Sequence, residues 1–185
     1  MPRHWLRRLA LFAAIAAFSF ATPAHAVNGL AGIDAMTATV FQEGQSSFSG
    51  LALRFRLHDA RLLDNLEFLP TVEYWRNSSS LEAYGLHVVR RDATLGADAR
   101  WMFAGEAWRA YAGAGLAVHF LSSELDAPPI GLNDSNSLTK GGLALLAGVS
   151  FGNKASKLGN FLEVKGHLVG GFRQTKLNMG LSWNH

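Results

Sequence analysis

The sequence contains no cysteine among its 185 residues, and past residue 26 it has no uncharged apolar run of helical membrane-spanning length. The first absence excludes a disulfide scaffold, a thiolate zinc site and a cysteine nucleophile. The second excludes a helical membrane span in the body of the chain, because such a span needs roughly 20 apolar residues. An excess of charge is also missing once the N-terminus is considered separately. Residues 1–26 read as a cleavable signal peptide: Arg3, Arg7 and Arg8 precede the apolar segment Leu9 to Phe20, and Ala24-His25-Ala26 forms an A-x-A cleavage site. Their removal leaves 14 basic against 14 acidic residues in the domain expected over 27–185. The basic pI therefore gives no reason to expect nucleic-acid binding. With 49% hydrophobic residues, the chain has ample material for a folded domain.

What the sequence does contain is period-two alternation, repeated many times. Leu51, Leu53, Phe55 and Leu57 alternate with Gly50, Ala52, Arg54 and Arg56. Leu66, Phe68, Val72 and Tyr74 alternate with Glu67, Thr71 and Glu73, and Leu95 to Phe103 places Asp98 and Arg100 on the second face. Trp108 to Phe120 sets Arg109, Tyr111, Gly113, Gly115 and His119 against alanine, leucine and valine. Three further segments oppose Lys140, then Glu163, Lys165 and His167, then Lys176 and Asn178, to apolar residues. A less regular strand over Ile33 to Phe41, phased with Asp34 and Met36 inward, makes eight.

The location of the charges decides the class. A soluble barrel hides an apolar interior, whereas here one face is nearly uncharged and the other carries the ions. That asymmetry predicts an eight-stranded antiparallel up-and-down transmembrane β-barrel with its apolar face in lipid. Closure follows, because an open edge in hydrocarbon leaves backbone groups unpaired. Eight strands enclose a lumen just wide enough for side chains to fill. The expected lumen ion-pair network comprises Arg54, Arg56, Glu67, Glu73, Asp98, Arg100, Arg109, Lys140, Glu163, Lys165 and Lys176, together with Asp34. A proton or ion path is the competing use of the same groups.

Short links are expected near Gly105-Glu106 and Asn153-Lys154, and long loops over 77–93 and 122–138. Within the second of these, Asp126 to Asn136, with Pro128-Pro129, reads as a mobile exposed loop, while Leu81 to Asp92 can extend the strands. Arg76, Arg90 and Arg91 in the first are candidate contacts for lipopolysaccharide phosphates, the alternative being a solvated loop. Trp101, Trp108, Trp183 and Tyr74 fit aromatic girdles, whereas the phase of Trp75 points it inward.

These features resemble the small eight-stranded outer-membrane barrels of the OmpA/OmpX and OmpW-like kind. Tyr111-Ala112-Gly113-Ala114-Gly115-Leu116 resembles their Tyr-x-Gly-x-Gly strand, and Leu95 to Trp101 resembles the strand before it. Asn178, Gly180, Trp183 and His185 are similar to the terminal signal read by the barrel-assembly machinery, with His185 where that group has Phe. The resemblance implies a Gram-negative outer-membrane location, with outer-membrane lipids and lipopolysaccharide as partners and no cofactor. It also implies a non-enzymatic envelope or surface role, in integrity, adhesion or recognition through the long loops. A narrow channel for ions or small apolar solutes is the alternative.

A lipid A esterase is the third reading, since His119 precedes Ser122, Ser123 and Glu124, but the spacing differs from the His-x-Ser pair of PagL-type deacylases. His58, His87, His119, His167 and His185 are scattered, so no metal site is expected. Gly113 and Gly115 lie in strand phase with no helix after them, which excludes a phosphate loop.

Overall fold

The computed structural model describes residues 29–58, 63–81, 85–103, 105, 107–152 and 156–184. The expected signal peptide, Glu106, the Asn153-Lys154 turn and His185 lie outside the described residues. Eight strands follow one another: β1 (Leu30–Gln42), β2 (Phe48–His58), β3 (Leu66–Leu81), β4 (Leu86–Met102), β5 (Trp108–Ala127), β6 (Leu132–Phe151), β7 (Leu158–Val169) and β8 (Phe172–Asn184). Each pairs antiparallel with its sequence neighbours, and β1 pairs with β8 from Gly32↔Asn184 to Gln42↔Gln174, closing the barrel.

The alternation seen in the sequence is the alternation of the wall. Along β2 the residues Gly50, Ala52, Arg54 and Arg56 are buried, while Leu51 and Leu53 are exposed. β1 has the expected phase: Asp34 and Met36 are buried, and Ile33 and Phe41 face outward. The apolar face is therefore outside, as a lipid solvent requires. Trp101, Phe103, Trp108, Phe151 and Trp183 are exposed around the end that holds the termini, and Phe41 and Tyr74 are exposed toward the other. Twelve residues separate Trp108 from Phe120 on β5. At ~3.4 Å per residue and a tilt of ~40° that is roughly 30 Å, one hydrocarbon thickness.

Among the described residues, the two segments expected as long loops are largely strand. β3 and β4 stay paired to Leu81↔Leu86, and β5 and β6 to Ala127↔Leu132. The Pro-Pro segment is exposed, as expected, and forms a short 3-10 turn, Pro128–Ile130. The N–H of Gly131 donates to the Pro128 carbonyl at 3.0 Å, and its φ of 66° is one that glycine adopts without strain. The two hairpin tips meet: a Cβ on Gly85 would lie 2.7 Å from the Pro129 ring. These extensions rise past their neighbours. β2 begins pairing with β3 at Gly50↔Trp75, and β7 reaches β6 only at Gly142↔Val169. A four-stranded sheet, β3 to β6, thus projects beyond the closed barrel.

Candidate functional site

Inside the barrel, the inward positions of every strand converge on a narrow lumen that is filled. Arg54, Tyr111, Lys165, Lys176, His119 and His167 are among its fully buried side chains. Glycines on the facing strand make that density possible, since a Cβ on Gly148 would sit 2.6 Å from the Tyr111 ring.

Toward the terminal end, Arg54 makes a bidentate pair with Glu163 at 2.9 and 2.6 Å. The same carboxylate accepts from the Tyr111 hydroxyl at 3.1 Å and from Asn178 Nδ2 at 2.9 Å. Asp34 lies 2.9 Å from Arg56 Nε, off-line for a hydrogen bond, and near Arg54 (3.9 Å) and Arg100 (4.0 Å). Arg100 binds Glu67 at 2.7 Å and lies over the Tyr111 ring at 4.6 Å. Arg56 also donates to the Trp183 carbonyl and to Asn184 Oδ1, tying β2 to β8.

Lys165 donates to Glu73 at 3.0 Å and to Asp98 at 2.7 Å, and Lys176 donates to the other oxygen of Glu73. Five acids, Asp34, Glu67, Glu73, Asp98 and Glu163, thus meet five cations, Arg54, Arg56, Arg100, Lys165 and Lys176. Balanced charge in a low-dielectric core is what makes their burial tolerable, because an unpaired ion there costs several kcal/mol.

Two cations expected in this network stand outside it. Lys140 is near the hairpin end, where its Nζ donates to the Gly170 carbonyl at 2.5 Å and sits 5.6 Å from the Phe172 ring centroid. Arg109 is half-buried at the terminal end, and among the described residues neither it nor Lys140 has a carboxylate within 4.0 Å. Arg109 lies at the end of β5, and Lys140 lies where β6 leaves the closed wall.

A second cluster was not expected from spacing. His119 Nδ1 lies 2.8 Å from Asp92 and 3.0 Å from the Thr94 hydroxyl, which itself donates to Asp92. His119 Nε2 lies 3.1 Å from His167 Nδ1. Two of the histidines that are scattered in sequence therefore meet, because β5 and β7 bring them to one level of the lumen. If Asp92 fixes the proton on His119 Nδ1, His119 Nε2 accepts from His167, whose own Nε2 is buried without a partner. Among the described residues no three of His, Asp and Glu are placed to hold a metal. The signal available in the sequence was phase: Asp92, Thr94, His119 and His167 all fall on inward positions.

The residues weighed as an esterase are not assembled into one. His119 points into the lumen, while Glu124 lies on the outer surface and binds Arg91 at 2.6 Å and 3.0 Å. That pair removes Arg91 from the free cations of the rim. It holds the Glu124 carboxyl below its ordinary range, chiefly through the Arg91 hydrogen bond, and raises the Arg91 guanidinium through the same bond. Arg76, directly opposite Arg91, and Arg90, opposite Asn77, are exposed with no carboxylate in contact among the described residues. In the strand of the expected assembly signal, Asn178 and Gly180 face the lumen and Trp183 is exposed to lipid.

Comparison with solved structures matches this architecture to small barrels of bacterial outer membranes. The chain is similar to neisserial surface protein A, with 18% identity, a TM-score of 0.60, and 83% of this chain against 95% of that one. It is similar to Ail, the attachment invasion locus protein of Yersinia pestis, solved with the heparin analogue sucrose octasulfate (14% identity, TM-score 0.60, 83% and 97% covered). The N-terminal barrel of Pseudomonas aeruginosa OprF matches at 14% identity and a TM-score of 0.54, over 85% and 100%.

The fold is that of a small outer-membrane barrel.

At these identities the likeness concerns the fold. No protein-family profile and no curated protein matches the sequence.

Proposed function

We propose that the chain is exported by its N-terminal signal and inserted in a Gram-negative outer membrane with both termini periplasmic. There it acts as a non-enzymatic surface protein that recognises an external partner through the projecting β3–β6 sheet. The observation that carries this reading is the free flank of β6. From Leu132 to Gly141 it is hydrogen-bonded to β5 on one side and, among the described residues, has no strand on the other. Such an edge can accept an added strand, and its Asn133, Asp134, Ser135, Asn136 and Ser137 keep it polar and exposed. Native edges are usually shortened, charged or covered, because an open row of N–H and C=O groups is a template for pairing with another chain. The printed names of two similar structures, a surface protein and an attachment protein, agree with that use. The packed, charge-paired lumen argues against the channel alternative.

The test replaces residues 123–136 with Asn-Gly between Ser122 and Ser137, which are already opposite each other. The shortened barrel is expected to fractionate with the outer membrane and to change gel mobility on boiling. Cells displaying it should bind surfaces coated with matrix protein at background level, while cells with the full chain bind. Equal attachment by both forms contradicts the proposal. In planar bilayers the full chain is expected to show no discrete channel openings, and regular single-channel steps would favour the transport reading instead.

A further inference from the structure

The lipid-facing wall carries a furrow whose cause is visible in the pairing. The outward residues of β1 are small where those of its neighbours are large. Ala35 stands between Leu53 on β2 and Leu181 on β8, and Thr37 stands between Leu51 and Met179. The two flanking ridges are about two inter-strand spacings apart, roughly 10 Å, which leaves room for one extended hydrocarbon chain between them. A pocket of about 670 Å³ covers the lower part of the furrow and reaches across β2 to Val72 and Tyr74 on β3, with an almost wholly apolar lining.

Its chemistry changes on the way to the hairpin end. A contiguous upper part of about 360 Å³ is lined by Thr39, Ser49 and Arg76 as well as Leu51 and Tyr74. Thr39 and Ser49 are register partners, so two hydroxyls sit together above the apolar floor. Arg76 closes the top with no ion pair among the described residues. Arg91, opposite it, is already neutralised by Glu124, so the local balance is one positive charge. The order is methylene, then hydroxyl, then guanidinium, which is the order of groups along an acylated phospho-headgroup.

We propose that this furrow is a binding site for a phosphorylated, acylated lipid of the outer leaflet. One acyl chain lies along β1, the acyl linkage lies beside Thr39 and Ser49, and a headgroup phosphate rests on Arg76. A second copy of the chain fits the furrow less well. A two-fold axis along the membrane normal would bring two unpaired Arg76 side chains to the same height, where they repel. The proposal rests on the outer-membrane orientation above, so its test first asks for the boiling-dependent gel shift. A chain without that shift fails at the earlier step, and the furrow is judged only on folded barrel.

Native mass spectrometry of the folded full chain in detergent, with added bisphosphorylated lipid A, the same lipid dephosphorylated, or phosphatidylethanolamine, tests it. The wild type should retain the phosphorylated lipid about five- to tenfold better than the dephosphorylated one, the scale of one charge-assisted contact. R76Q should lose that preference and keep its residual binding of the dephosphorylated lipid. Filling the furrow with A35L and T37L together should lower retention of both, whereas A147L on the lipid face of β6 should change neither. Retention unchanged by R76Q or by furrow filling overturns the proposal, as does equal loss in A147L. A dimer that furrow filling dissociates would assign the groove to a second copy instead.

Discussion

β6 has partners on both flanks from Gly142 to Phe151 and on one flank only from Leu132 to Gly141. Within that single strand the lower half alternates between buried and exposed positions, while almost the whole upper half is exposed. The lower half belongs to a closed sheet whose inward groups are neutralised pairwise, so each residue there is held by lumen and lipid together. The upper half is held by backbone bonds to β5 and, at its foot, by the contact of Lys140 with the Gly170 carbonyl. The comparison separates two kinds of stability in one sheet: a core that tolerates little change, and a projecting edge whose side chains are free to vary with whatever it meets.

Breaking the lower half should cost most. Glu163 accepts from Arg54, Tyr111 and Asn178 at once. E163A leaves the Arg54 guanidinium buried without its main partner, and urea unfolding of the lipid-embedded barrel should register a loss of about 3–5 kcal/mol. Removing both charges, R54M with E163L, should recover most of that loss. A double variant as unstable as the single one would show that the pair matters for more than charge compensation.

Next in size is G148V, which forces methyl groups against the Tyr111 ring and should cost about 1–3 kcal/mol in the same assay. By contrast S135V on the free flank should leave unfolding within about 0.5 kcal/mol of wild type. A large effect there would mean that the edge is covered.

The smallest effect sharpens the upper half. Glu124 has its carboxyl held below its ordinary value of 4.5. A depressed folded-state pKa stabilises the hairpin above that ordinary value, and the contribution disappears as pH falls through the folded-state value. The pair is exposed, so the contribution is about 0.2–1 kcal/mol and is screened by salt. Amide protection factors in the β4–β5 extension, which are corrected for the intrinsic pH dependence of exchange, should therefore fall on acidification below pH 4.5 in the wild type, and E124Q should remove that part of the pH dependence.

The strand phases were legible because the two faces of a membrane barrel differ so sharply in solvent. Leu51 and Arg54 could not share a face in any lipid-exposed sheet, and even the irregular β1 kept Asp34 and Met36 inside. The hairpin extensions were legible over Leu81 to Asp92, which the sequence let extend the strands, and not elsewhere, for the converse reason. Ser78, Ser79 and Ser80, and Asn133 to Ser137, are polar on both faces because water bathes both, so no period-two signal survives there. Phase alone also placed Arg109 and Lys140 with the lumen ions. It could not show that Arg109 lies at the end of β5, nor that Lys140, where β6 leaves the closed wall, meets the Gly170 carbonyl and the Phe172 ring. The Asp92–His119–His167 chain depends on the relative height of β4, β5 and β7, a property of stagger that one strand does not encode.

Hydrogen–deuterium exchange along β6, with the full chain in lipid nanodiscs, addresses the division between closed wall and open edge directly. The account predicts slow exchange throughout Gly142 to Phe151. In Leu132 to Gly141 it predicts a split, with amides bonded to β5 slow and those pointing away from it fast. Uniform protection across both halves would contradict it by showing that the edge is covered, and uniform fast exchange above Gly142 would contradict it by showing that the projecting hairpin does not hold.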